Sequence, residues 1–137
     1  MTSFSIWIPG KATPQGSKKG FVINGRAVLV DASEGNKAWR AHVTKRIKEH
    51  EEYIRYKGAV HVTVAFYMEK AKTNKKTFMI QKPDIDKLCR SVMDAMTDAE
   101  VIEDDSRVVS LTAYKYWETD EMSPGVFIHI SQGKNDA

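Results

Sequence analysis

Apolar and polar residues first alternate at Phe4, Ile6 and Ile8, which are set between Ser3, Ser5 and Trp7, and the run stops at Pro9-Gly10. A period of two predicts a half-buried strand. The same period returns at Val60, Val62, Val64 and Phe66, interleaved with His61, Thr63, Ala65 and Tyr67. Both of these sets are fairly apolar, which places the strand inside a sheet. Residues 107–117 and 126–131 read as two further strands, separated by a charged turn that closes at Pro124-Gly125. From Phe21 to Val30 the run is broken only by Asn24-Gly25, the pair that supplies both positive-φ positions of a type I′ turn, so a hairpin is expected there.

Elsewhere the period lengthens to that of a helix. Asp31 or Ser33 can cap a helix running to about Glu52. Ala38, Trp39, His42, Val43, Arg46 and Ile47 mark its inner side, while Lys37, Arg40, Lys45 and Lys48 face mostly outward. Trp39 reads as core, and His42 as a partly buried histidine with a satisfied ring rather than a metal ligand. The second helix carries Ile85, Leu88, Cys89, Val92, Met93 and Met96 at spacings of three, four, seven and eight, begins at Pro83 and reaches about Thr97. The expected fold is α/β (α+β): a single domain over residues 1–137 with a mixed four-stranded sheet, two main helices and an N-terminal β-hairpin.

Composition adds limits. The chain has 137 residues, 42% of them hydrophobic and 28% charged, enough for one domain with a core. The longest apolar-rich run, Ala59 to Met68, contains His61 and Thr63 and is half the length of a membrane span. Met1 to Gly10 lacks the basic and apolar regions of a secretory signal, so a cytoplasmic protein is expected. The lone cysteine, Cys89, falls on the apolar helix face as a small buried hydrophobe. The net charge of +3 is unevenly spread: residues 1–82 hold sixteen lysines and arginines against six acids, and residues 83–137 hold five against twelve. A basic front joined to an acidic end suits a protein that holds phosphates beside a metal site.

The acidic end contains the candidate chemistry. Asp84 and Asp86 open the second helix, where backbone N–H groups favour negative charge. Two acids cannot both cap one helix, and in regular helix they would project about 200° apart, so they converge only if Asp84 lies outside the first turn. A second acidic group follows at Glu103-Asp104-Asp105. The eight residues after Thr97, at about 3.3 Å each when extended, are just long enough to bring Asp105 back to the helix entrance. Asp84, Asp86 and Asp105 would then meet as a hard-oxygen site for Mg²⁺ or Mn²⁺. Phosphate contacts are expected from the basic segment holding Lys70, Lys72, Lys75, Lys76 and Lys82, and from Gly16-Ser17-Lys18-Lys19, which lacks the spacing of a nucleotide-binding loop. The hairpin with Lys19 and Arg26 is either a DNA-contacting arm or a cover for a sheet edge.

The pattern Asp84-x-Asp86, Arg90 four residues on, Asp94, and Asp104-Asp105-x-x-Val108-Val109 resembles the RusA family of Holliday junction resolvases, largely phage-borne endonucleases. The opening from Ile8 to Lys19 is similar to the N-terminus of many phage members. The resemblance covers nearly the whole chain and is most specific from Pro83 to Val109. It implies a RusA-like fold and a homodimer that cuts four-way DNA junctions in recombination, repair or phage DNA processing, in the host cytoplasm if phage-encoded. It also implies a divalent metal, Mg²⁺ with Mn²⁺ as a substitute, held by Asp84, Asp86 and Asp105. The family often has Asn at the position of Lys87 and commonly has Lys at that of Arg90. An arginine serves if the cation only stabilises phosphate charge; if it must exchange a proton, Lys87 is the nearby candidate. Asp94 reads as an ion-pair partner of Arg90, and Asp104 is an alternative third ligand that only the family register disfavours. The alternatives in function are a junction-binding module without catalysis and another phosphodiesterase or RNA-processing nuclease.

Overall fold

The computed structural model describes residues 2–15, 18–31 and 35–133. Strand β1, Ser3–Pro9, alternates as its sequence does, burying Phe4, Ile6 and Ile8. Strands β2, Lys18–Ile23, and β3, Arg26–Asp31, form an antiparallel two-stranded ribbon. Its turn has Asn24 at φ 51° and Gly25 at φ 76°, the two left-handed positions expected of Asn-Gly. The ribbon begins at Lys18, three residues earlier than the apolar run suggested, because Lys18-Lys19-Gly20 extends the pairing with Leu29 to Asp31.

Helix α1 spans Asn36–Glu49. It starts later than expected: Asp31 is the last residue of β3, so it is not the cap, and Ser33 lies outside the described residues. Gly35, in the left-handed region at φ 80°, precedes the first turn and offers no side-chain cap. The helix also ends three residues before Glu52. Trp39, Val43 and Ile47, one turn apart, form its buried stripe; Ala38 is exposed, and His42 is half-buried with Nε2 2.9 Å from the Pro9 carbonyl.

Strand β4, Val60–Met68, leads through the long segment 69–84 to helix α2, Ile85–Asp98. A short 3₁₀ turn, Asp105–Arg107, then delivers the chain to strand β5, Val108–Trp117, and strand β6, Gly125–Gln132, completes the fold. The four-stranded sheet has the order β1-β6-β4-β5. β6 is antiparallel to both β1 and β4, and β4 is interior as its two apolar faces required. β5 runs parallel to β4, so α2 is the crossover of a βαβ unit. The result is an α+β fold with a mixed sheet, two main helices and the hairpin.

One face of the sheet supplies Phe4, Ile6, Ile8, Val60, Val62, Val64, Phe66, Val126, Ile128 and Ile130 to a core shared with Trp39, Val43 and Ile47 of α1 and Leu88, Val92, Ala95 and Met96 of α2. Asn36 Nδ2 ties α1 to α2 by donating to the buried Ser91 Oγ at 2.9 Å, and the Tyr53 hydroxyl, from the segment after α1, donates to the Ala99 carbonyl at the end of α2 at 2.5 Å. Cys89 lies on the buried face of α2 at 5% exposure, and burial pushes its thiol up to about 11, with the charge of Asp86 adding to the rise. A buried, protonated thiol is a poor nucleophile. Iodoacetamide at pH 8 is therefore expected to leave Cys89 unmodified in the folded protein and to alkylate it fully in denaturant, as mass spectrometry would show; rapid labelling without denaturant would place Cys89 at the surface.

Candidate functional site

α2 begins with a residue that could have been consumed by capping and is not. Asp84 occupies the N-cap position with extended backbone at φ −69° and ψ 142°, its carbonyl accepts from the Leu88 N–H at 3.1 Å, and its carboxylate makes no capping bond. That carboxylate is instead half-exposed, with Lys87 Nζ 3.9 Å from Oδ2. Because Asp84 is outside the first helical turn, its side chain is not bound to the 100° rotation that would turn it away from Asp86. Asp86, in the first turn, is exposed and has no hydrogen bond or ion pair among the described residues. The pair thus offers solvent two open carboxylates at the positive end of a helix.

The approach to the pair is held from the sheet. Lys115 of β5 sends Nζ to two backbone carbonyls, Gln81 O at 2.8 Å and Pro83 O at 2.9 Å, across the cis Lys82–Pro83 peptide. Met79 is buried and anchors the same segment, while Phe78 and Ile80 on either side of it are exposed. From the other direction the N-terminal loop is tied in, with Gln15 N donating to Lys87 O at 3.1 Å. A cleft of about 350 Å³ opens beside this segment, lined in part by Lys11, Met79, Lys82, Pro83 and Trp117. Of the cations read as phosphate contacts, Lys72, Lys75, Lys76 and Lys82 are exposed along segment 69–84, and Arg26 is exposed at the hairpin turn. The side chains of Lys18 and Lys19 lie outside the described residues.

Asp105 stands elsewhere. Its Oδ1 accepts from Thr97 Oγ1 at 2.6 Å, and it lies near enough to Asp94 to raise that carboxyl's pKa. Thr97 is eleven residues beyond Asp86, about 16 Å along the helix axis. The expected return of Asp105 to the helix entrance therefore does not occur within one chain. β5 pairs parallel to β4, so the residues just before α2 lie at one end of the sheet and those just after it at the other. Among the described residues no three His, Cys, Asp or Glu side chains stand close enough to hold a metal ion.

Around Asp105 is a polar cluster that reading the sequence missed. Arg40 of α1, expected to face outward, forms a two-pronged contact with Asp98, Nε to Oδ2 at 2.5 Å and Nη2 to Oδ1 at 2.9 Å. Its Nη1 is 3.8 Å from Asp94 Oδ2. Asp94 is thus paired with Arg40 and not with Arg90, which is exposed and without an ion pair among the described residues. Burial holds the Asp94 carboxyl above its usual range against the opposing pull of Arg40, and Asp105 raises it further by charge and by their hydrogen bond. Asp104 has a local job: its carboxylate accepts from Ser106 N at 3.0 Å, caps the 3₁₀ turn, and is held below the usual carboxylate range by that bond.

Lys115 was legible in principle, since a lysine between Ala113 and Trp117, paired with buried Phe66, breaks the apolar phase of its strand. Charge-assisted bonds of this kind contribute about 1.5–3 kcal/mol. Lys115→Met is expected to lower the melting temperature by a few degrees and to speed amide exchange in residues 81–88 specifically; uniform exchange changes, or none, would show that the clamp does not order the segment.

A comparison with protein-family models matches residues 9–131 to the family described as Endodeoxyribonuclease RusA. No curated protein matches the chain at a significant level.

Proposed function

The chain belongs to the RusA endodeoxyribonuclease family, and from that premise we propose that it is a homodimeric, divalent-metal-dependent nuclease that cuts four-way DNA junctions. The observation that supports this most directly is the free carboxylate of Asp84 at a helix N-cap, one residue from the open Asp86. Exposed acids that cap nothing and pair weakly repel DNA unless a cation sits between them and the phosphate. Hard carboxylate oxygens of this kind fit Mg²⁺ or Mn²⁺.

One chain supplies an incomplete donor set, and a second copy completes it. Asp86 and Arg90 are exposed one turn apart on α2, and Asp94, one step further, turns toward Arg40 of α1, with the acid pair at the beginning of the helix and Asp105 beside its end. Two copies packed with these helices facing and antiparallel bring the Asp84/Asp86 pair of one chain to Asp105 of the other, and they do so twice by symmetry. Asp105 is favoured over Asp104 as the third donor because Asp104 is occupied by its turn.

The bound metal would polarise the phosphate and lower the pKa of a coordinated water. This chain's own residues hold and neutralise the substrate. Arg90, exposed one turn from Asp86 and without an ion pair among the described residues, would stabilise charge building on the scissile phosphate, with Lys87 available beside Asp84. Lys72, Lys75, Lys76, Lys82 and Arg26 contact the DNA backbone, joined by Lys18 and Lys19 of the hairpin.

Mixing two inactive proteins tests the arrangement. Asp86→Asn and Asp105→Asn should each abolish Mg²⁺-dependent nicking of a labelled four-way junction while retaining junction binding. Co-refolded together they should regain nicking, because one of the two shared sites in each mixed dimer is intact. If the mixture stays inactive while each single variant binds, the site is not shared between chains; if Asp86→Asn cuts normally, the site is elsewhere. Junction binding without cutting by the unmodified protein, in Mg²⁺ and in Mn²⁺, would identify a binding module, and cutting of an RNA hairpin in preference would identify a different nuclease. Lys75→Ala and Lys76→Ala should each reduce the slope of log affinity against log salt by about 1, uniformly across sequences.

A further inference from the structure

Asp105 is held in a way that its own sequence neighbourhood does not explain. It follows a residue committed to capping and sits in a three-residue 3₁₀ turn, a poor platform for a precisely placed ligand. Its carboxylate is instead fixed from outside that turn. Thr97 Oγ1 lies 2.6 Å from Asp105 Oδ1 and 3.2 Å from the Met93 carbonyl. A hydroxyl has one proton to donate, and the shorter contact takes the larger share of it. A helical threonine has two χ1 rotamers open to it, and the approach of Thr97 Oγ1 to the Met93 carbonyl one turn back marks the one adopted here.

A second support comes through Asp94. Asp94 lies near Asp105, with Arg40 Nη1 3.8 Å from its Oδ2, and Arg40 is itself locked in a two-pronged grip on Asp98. Arg40 projects from α1, so the cluster joins both helices to the turn that carries Asp105. The facing groups are Arg40 from α1, Asp94, Thr97 and Asp98 from α2, and Asp105 from the turn.

We propose that Thr97 is a positioning residue for the nuclease reaction: its hydroxyl fixes the Asp105 carboxylate so that the free oxygen is presented to the partner chain's acid pair, with the Arg40–Asp94 pair as the buttress behind it. The inference rests on the reading of Asp105 as a site residue. A ligand held by a rigid second layer keeps its geometry, and misplacement of about 1 Å can cost about a hundredfold in rate.

The experiment compares Thr97→Val, which keeps the branched shape and removes the hydroxyl, with Thr97→Ser, which keeps the hydroxyl, and uses Asp105→Asn as the control for the underlying reading. Three quantities are measured: single-turnover nicking of a four-way junction, junction affinity in EDTA, and the rise in melting temperature on adding Mn²⁺. Thr97→Val is expected to nick about tenfold or more slowly, to bind the junction within about twofold of the unmodified protein, and to show a smaller Mn²⁺-induced rise; Thr97→Ser should recover most of each. Should Thr97→Val fail to fold, Thr97→Ala carries the same comparison. Nicking and Mn²⁺ response unchanged in the hydroxyl-free variant, with Asp105→Asn inactive, would overturn this inference alone. Normal nicking by Asp105→Asn would overturn the site itself. Equal losses in the valine and serine variants would show packing, and not the hydroxyl, to be what matters.

Discussion

The parallel pairing of β4 with β5 is the constraint from which the arrangement of this molecule follows. Parallel neighbours cannot be joined by a tight turn, so the chain must travel the length of the sheet between them, and here it does so as α2. The segment that leads into α2 therefore lies beyond the carboxyl ends of the two strands, and the segment that leaves α2 lies beyond their amino ends. The acid pair stands at the first end, where α/β crossovers commonly expose their helix N-termini to ligands. Asp105 stands at the second. The separation of the carboxylates is a property of the topology, and no loop movement short of unpairing β5 removes it.

The same pairing stiffens the first end. β5 returns to the top of the sheet, and Lys115, at a position where the strand's phase calls for an apolar side chain, reaches the carbonyls of Gln81 and Pro83 just before the acid pair. A long connection such as 69–84 would ordinarily be a mobile surface segment. Here it has a buried anchor in Met79, a charged clamp in Lys115, and at its end a helix whose own N-cap residue leaves its carboxylate free. Local stability has been given up at that cap, since a capping bond is typically worth about 1 kcal/mol, and an open acid has been kept in exchange.

The sequence showed the fold plainly wherever periodicity carried it. The alternation of Phe4 to Ile8 and Val60 to Phe66 located β1 and β4, and the two apolar faces of β4 placed it inside the sheet. Asn24-Gly25 located the hairpin turn because few other residues adopt two positive φ angles in succession. The start of α1 was misplaced because Asp31 can both cap a helix and end a strand, and the pairing with Lys18 decided between them. At the site, chain length alone allowed Asp105 to reach the helix entrance; what forbade it was the direction of β5, which no local pattern encodes. Arg40 was misread for a related reason. On a helical wheel it borders the polar face, and only the packing of α1 against α2 turned that border toward Asp94 and Asp98.

On the proposed reading, dividing the carboxylates between two chains has a chemical consequence for a branched substrate. On that reading a chain by itself holds two open acids with no third carboxylate beside them among the described residues, and a second chain completes the site. A symmetric pair holds two complete sites at once, related by the same two-fold that relates opposite strands of a four-way junction. Chemistry and substrate symmetry then depend on one interface. The acids at that interface repel one another until a cation neutralises them, so metal, DNA phosphate and second chain each favour the binding of the others. A nuclease built this way is restrained by geometry before it is restrained by sequence preference. On that reading the Thr97 hydrogen bond to Asp105 and the Lys115 clamp on the Gln81 and Pro83 carbonyls are what such a divided site requires, because each half must be in place before the other arrives.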